Sequence, residues 1–311
     1  MEDETVANVL AVLCPGQGSQ QPGMLHAWMK VADNLDLDGG GLIDTWSAAA
    51  DLDLTDLGTY ADADTIRKTE YAQPLIVATS LLSWHCYQAA TGARPGLVAG
   101  HSIGEVAALA VAGIISDTDA VKLAAIRGGA MARAVHQAPG SAMAAVVGGQ
   151  IEPVASELRA RGLTPANINA PGQVVAAGTS DAIAALRADP PRGTRVLPLE
   201  VAGAFHTDMM ASATQAVAAT VDTIRLGHPR CPVVSNADGA PLRDAREALA
   251  RIPTQITNSV RWDLCQTTIA ALATHAVELA PARVLSGLAK RAMKTLTVRA
   301  LKPAQLEKEI S

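Results

Sequence analysis

Apolar residues fall along this chain in short unbroken runs that alternate with stripes at helical spacing, which predicts strands and helices in alternation. Residues 9–13 form one such run and end at Pro15-Gly16, a buried strand opening into a glycine-rich loop. Between 74 and 88 the apolar positions recur at helical spacing, and residues 97–99 read as a second short strand ahead of Gly100. Residues 103–113 are small and apolar throughout, the pattern of a helix buried on most sides, and a further helix is expected over 117–135.

The rhythm then changes. Strand 142–147, helix 152–161, strands 166–170 and 174–177, helix 180–187 and strand 195–199 spell β-α-β-β-α-β, the order and size of a ferredoxin-like unit. Beyond it are expected a helix over 209–223, a strand at 232–235, a helix over 262–274, a strand at 276–279 and a basic C-terminal helix. The pattern therefore predicts one α/β body made of residues 1–138 and 201–311, interrupted by a small subdomain at 139–200. Residues 33–64, with nine Asp, no Lys or Arg and the triplet Gly39-Gly40-Gly41, read as a solvated loop flanking short helices.

Composition narrows the class. With 49% hydrophobic and 18% charged residues and a net charge of −5, the chain has the apolar content of a folded protein and lacks the basic footprint of nucleic-acid binding. Aromatics are only 3%, and Phe205 is the one phenylalanine, so the core must rest on small and aliphatic side chains. The four cysteines are far apart with no C-x-x-C spacing, and no histidine pattern suggests a metal site. The acidic first residues carry no leader signature and no apolar run reaches eighteen, so a cytoplasmic location is expected.

Gly100-His101-Ser102-Ile103-Gly104 fits G-x-S-x-G between a predicted strand and a predicted helix, where the small flanks let a serine stand on a sharp turn with helix N–H groups behind it. A nucleophilic serine needs a base, and seven histidines compete. His101 adjoins the serine, so its side chain should diverge and shape the site, whereas His206 sits in the irregular segment Gly203-Ala204-Phe205-His206-Thr207. Arg127, on a predicted helix, would by spacing alone be a solvated surface charge.

Taken in order, Gly16-Gln17-Gly18-Ser19-Gln20, Gly100-His101-Ser102-Ile103-Gly104-Glu105, Arg127-Gly128, residues 169–175, Gly203-Ala204-Phe205-His206, Gln255 with Val260-Arg261-Trp262, and residues 284–288 resemble the malonyl-CoA:acyl carrier protein transacylases of bacterial fatty acid synthesis, over roughly residues 8–292. The resemblance implies an α/β-hydrolase-like large domain with a ferredoxin-like insert, and a malonyl-serine intermediate on Ser102 with His206 as base. It further implies an oxyanion hole at the N–H groups of Gln17 and Ile103, Arg127 on the malonyl carboxylate, and the Gln255 carbonyl on the imidazole. His101, Phe205 and Asn169 would line the substrate pocket. Asp208 and Asp238 remain weaker candidates for orienting the base.

No cofactor is implied beyond malonyl-CoA as substrate. The implied partner, acyl carrier protein, is acidic, and residues 281–311 hold seven Lys or Arg against two Glu, with Lys290, Arg291 and Lys294 as the candidate docking residues on what is expected to be a monomer. The chain departs from the family pattern at Thr207-Asp208-Met209-Met210, at Ser259 and at Ala280-Pro281-Ala282-Arg283. The rival readings are a serine esterase or thioesterase on a related fold, a non-catalytic scaffold, and an acyltransferase serving a polyketide synthase.

Overall fold

The computed structural model describes residues 8–310, so the reading of the first residues as free of a leader lies outside the described part. Strand β1 (Leu10–Cys14) is buried throughout. Its alternate side chains enter opposite apolar clusters, Leu10, Val12 and Cys14 on one face and Ala11 and Leu13 on the other. The segment expected to be a solvated loop is instead largely helical: α1 (His26–Asn34), α2 (Gly39–Ala50), α3 (Leu54–Thr59) and α4 (Ala63–Arg67). Its aspartates are the reason. Asp38, Asp53 and Asp62 accept the N–H groups of Gly41, Asp56 and Thr65 and so cap α2, α3 and α4, and the glycine triplet is the first turn of α2.

Helix α5 (Thr69–Thr91), β2 (Leu97–Gly100), α6 (Gly104–Val111) and α7 (Asp117–Gln137) follow in the expected order, and every residue of α6 is buried. Then β3 (Ser141–Gly148), α8 (Ile151–Ala160), β4 (Thr164–Ala170), β5 (Gln173–Thr179), α9 (Ser180–Ala188) and β6 (Thr194–Pro198) form an antiparallel sheet in the order β4-β5-β3-β6, the ferredoxin-like arrangement. One face of this sheet packs its own cluster, including Val146, Ile168 and Val174. The other face contributes Met143, Ala166, Val175 and Ala177 to the main core.

The chain returns through a 3₁₀ turn (Asp208–Met210), α10 (Ala211–Val221), β7 (Val233–Val234), β8 (Pro241–Leu242), α11 (Ala245–Gln255), α12 (Trp262–Leu272), β9 (His275–Glu278), α13 (Val284–Ala292), β10 (Thr297–Ala300) and α14 (Pro303–Ile310). The larger sheet has the order β10-β9-β1-β2-β7-β8, and every pairing is parallel except β7 with β8. The C-terminal region expected as one basic helix is thus two helices separated by an edge strand, and α11 had no counterpart in the apolar pattern. The fold is α/β, a mostly parallel sheet with a separate antiparallel one. Backbone hydrogen bonds from Ile168 to the Val260 carbonyl and from Val260 to the Ala166 carbonyl tie β4 to the larger body. Among the described residues no helix is long and apolar enough to cross a membrane.

Candidate active site

Strand β2 ends at Gly100 and α6 begins at Gly104, so Ser102 stands at the tip of the turn between them. The turn is possible only because its flanks lack a Cβ: one on Gly100 would lie 2.0 Å from the Gly104 carbonyl, and one on Gly104 would lie 2.2 Å from the Cys14 carbonyl. Ser102 has φ +52° and His206 has φ +60°, left-handed conformations that non-glycine residues adopt only when their surroundings enforce it. Of the four such residues among those described, two are this pair.

The two side chains meet. Ser102 Oγ lies 2.8 Å from His206 Nε2, and His206 Nδ1–H donates to the Gln255 backbone carbonyl at 2.8 Å. That second bond fixes the tautomer, leaving Nε2 as the acceptor for the serine hydroxyl. Burial, followed by the positive charge of Arg127, pushes His206 down to about 3, so the imidazole is neutral at physiological pH with Nε2 unprotonated. The orienting group is the backbone carbonyl of Gln255, which a change of its side chain leaves in place. Neither aspartate serves: Asp238 is held by Arg251 at 2.8 Å, and Asp208 is exposed. Thr207 Oγ1 accepts the Met209 N–H and donates to the Ala204 carbonyl, so the departure from the family pattern here preserves a cap.

Arg127 is fully buried, not the surface charge its spacing suggests. Its Nη1 donates to Gln73 Oε1 at 2.8 Å, and its Nη2 donates to Gln255 Oε1 at 2.7 Å and to Ser102 Oγ at 3.3 Å, while its Nε finds no partner among the described residues. Burial lowers the guanidinium to about 10 and Glu105 opposes that shift, so it stays charged. A buried cation satisfied only by neutral oxygens, with a donor to spare, is prepared for an incoming anion.

Ser102 and His206 open into a cleft of about 230 Å³, which Gln73 also lines. Gln17, His101, Ser102, Asn169, Phe205 and His206 line it, with Met143 and Val175 from the antiparallel sheet and Val284, Leu285 and Leu288 from α13 on its walls. His101 turns from the serine and pairs through Nε2 with Asn169 Oδ1 at 2.8 Å, its ring edge-on to Trp262. Gln17 and Ile103 have backbone N–H groups that make no hydrogen bond among the described residues. A neutral base on a serine hydroxyl, free N–H donors and a buried cation can together perform nucleophilic acyl chemistry on an anionic substrate.

Sequence reasoning did not find Gln73, Asn236 or the role of Glu105. Asn236 accepts the Ser102 N–H through Oδ1 at 2.8 Å and donates from Nδ2 to the Gly100 carbonyl at 2.6 Å. Gln73 and Asn236 carry no local signal, because each acts on a partner more than fifty residues away. Among the described residues no group of three or more His, Cys, Asp or Glu is placed to hold a metal ion.

The family model described as acyl transferase domain matches residues 12–306. The malonyl CoA-acyl carrier protein transacylase of Mycobacterium tuberculosis is 45% identical over 303 residues, covering 96% of this chain and 98% of the relative. That of Escherichia coli is 36% identical over 306 residues, covering 94% and 95%. Among solved structures, the Mycobacterium tuberculosis MCAT crystal structure matches with a TM-score of 0.89 at 43% identity over 98% of this chain and 100% of that one. A malonyl-transacylase in complex with a type II PKS acyl-carrier protein matches with a TM-score of 0.87 at 31% identity over 97% of this chain and 99% of that one. This chain belongs to the acyl transferase domain family and, within it, to the malonyl-CoA:acyl carrier protein transacylases.

Proposed function

We propose that the chain moves a malonyl group from malonyl-CoA to the phosphopantetheine thiol of an acyl carrier protein through a malonyl ester on Ser102. The observation that carries the reading is the Ser102–His206 contact of 2.8 Å on the cleft, with the fully buried Arg127 behind it, 3.3 Å from Ser102 Oγ. His206 Nε2 takes the serine proton as Oγ attacks the thioester carbonyl, and the N–H groups of Gln17 and Ile103 hold the oxyanion. Collapse breaks the C–S bond, and the departing coenzyme A thiolate takes the proton from His206. The carrier's thiol then gives its proton to His206 and attacks the ester carbonyl, and Ser102 recovers the proton as it leaves. Arg127 holds the malonyl carboxylate throughout, and Phe205 limits the room beside it.

These steps use no cofactor, and every group comes from one chain, so a monomer suffices. The cleft lining, with Met143 and Val175 from the antiparallel sheet and Ser102 and Leu288 from elsewhere, supports a division of residues 1–138 and 201–311 from 139–200. Helix α13 supports a docking role for the basic residues, since Val284, Leu285 and Leu288 line the cleft while Lys290 and Arg291, followed by Lys294, are exposed. Acyl-CoA and carrier-protein substrates support a cytoplasmic location for the reaction, and which carrier it meets decides between fatty acid and polyketide extension.

Intact mass spectrometry after mixing with malonyl-CoA tests the reading. Wild type should gain about 86 Da, as expected for a covalent malonyl ester, and Ser102→Ala should gain nothing. An adduct on both proteins, or malonyl-CoA hydrolysis without carrier-dependent transfer, overturns it and favours a hydrolase.

A further inference from the structure

Glu105 is a buried acid with no task in the acyl-transfer steps. It stands in the first turn of α6, 3% exposed, and both carboxylate oxygens accept N–H donors: Oε1 from the Asn236 backbone at 3.0 Å and Oε2 from the Gln255 side-chain amide at 2.5 Å. Each donor belongs to a residue that holds the site. Asn236 grips the turn just ahead of the serine side chain, at Gly100 O and Ser102 N. Gln255 gives its backbone carbonyl to His206, its side-chain oxygen to Arg127 and its side-chain N–H also to the Ser102 carbonyl. Among the described residues no acid forms an ion pair with Arg127, so Glu105 is its counter-charge at one amide's remove. A direct ion pair would occupy the guanidinium, whereas this relay leaves it open to a substrate carboxylate.

We propose that Glu105 is a positioning residue that must be ionised for acyl transfer, because its carboxylate pins Asn236 and Gln255 and thereby the arrangement of Ser102, His206 and Arg127. A protonated carboxyl presents an O–H to one of the two N–H donors, and that contact is lost. The inference rests on reading Ser102 as the nucleophile. Burial pushes Glu105 up to about 7, opposed by the bonds from Asn236 and Gln255 and by the charges of Arg127 and Arg251. The charged and titratable groups that face it are Arg127 from α7, Arg251 from α11, Cys265 from α12 and, through Gln255, His206. Arg127 titrates at about 10, Cys265 well above its ordinary range and His206 at about 3, which leaves Glu105 as the group of this cluster that changes charge near neutrality.

The test is the rate of malonyl-Ser102 formation, followed by quenched intact mass from about pH 5.5 to about pH 8.5 in wild type and Glu105→Gln, with Tm measured alongside. Wild type should lose rate toward acid with a midpoint near 7. Glu105→Gln should be roughly 10- to 100-fold slower and flat across the range, with Tm at the alkaline end within a few degrees of wild type because loss of a buried charge offsets one broken hydrogen bond. If Glu105→Gln does not fold, wild type decides alone: infrared difference spectra over the same range should show a carboxylate becoming a carboxylic acid in step with the rate loss. A flat wild-type profile, or a Glu105→Gln protein that keeps the wild-type rate or acid limb, overturns the proposal. Acylation of Ser102→Ala would instead overturn the function beneath it.

Discussion

Arg127 and His206 are both basic, both buried and both shifted downward, yet they end on opposite sides of neutrality. The guanidinium falls only to about 10 and remains a cation, whereas the imidazole falls to about 3 and becomes a neutral base. One desolvated site thus supplies an anion receptor and a proton acceptor together. Arg127→Ala should lower kcat/KM for malonyl-CoA roughly a hundredfold, about 3 kcal/mol for a lost charged, two-pronged contact, with little effect on acetyl-CoA. Comparison of the two substrates checks it, and equal losses would remove Arg127 from carboxylate recognition. Burial affects stability in opposite senses at His206, which it pushes down, and at Glu105, which it pushes up. Between pH 3 and 6.5 the unfolded chain binds the His206 proton and the folded chain does not, so stability is lost as pH falls through that window. Between pH 4.5 and 7 the folded chain binds the Glu105 proton and the unfolded chain does not, so that group's contribution is lost as pH rises.

The elements that place these residues depend on backbone contact more than on side-chain volume. Helix α6 reaches β1 so closely at Gly104 that a methyl group would meet two backbone carbonyls, those of Cys14 and Pro15, at 2.2 and 2.6 Å. Gly104→Ala should therefore cost about 3 kcal/mol or more and abolish acylation. In Gly129→Ala, where the new methyl group meets only the flexible end of Arg133 at 3.4 Å, stability should hold or rise by up to about 1 kcal/mol. Thermal unfolding of the two variants separates them. The G-x-S-x-G spacing made this turn legible, because a strand and a buried helix flank it. The aspartate-rich segment was misread, because an Asp that caps a helix and an Asp that faces solvent look alike until the partner N–H is placed. The edge strand β10 was missed because its exposed and half-buried residues carry little apolar signal.

Across the molecule, the cleft exists because one face of the antiparallel sheet turns toward the main body. Met143, Val175 and Asn167 come from that sheet, while Ser102 and Leu288 come from the other body. Arg291 spans the gap, donating from Nη1 to Gln173 Oε1 at 3.3 Å. The docking proposal puts the carrier on the exposed basic residues that follow the cleft-lining part of α13, in a chain of net charge −5. Reversing Lys290 and Arg291 to Glu together should raise KM for the carrier protein roughly tenfold and leave KM for malonyl-CoA unchanged. Steady-state kinetics with each substrate varied in turn checks this, and parallel changes in both constants would remove α13 as the docking surface.

Local order in the chain was enough to determine the alternation of strands and helices, the β-α-β-β-α-β insert, the serine turn and the histidine loop, since each depends on spacing within a few residues. Tertiary structure alone decided that Arg127 is buried, that the Gln255 carbonyl on the imidazole is the backbone one and not the side chain's, and that Gln73, Asn236 and Glu105 join the site. Those facts depend on contacts between residues 49 to 150 positions apart. Periodicity reports which face of an element is apolar, but a hydrogen bond between two polar groups exists only once the chain has brought them together and excluded water.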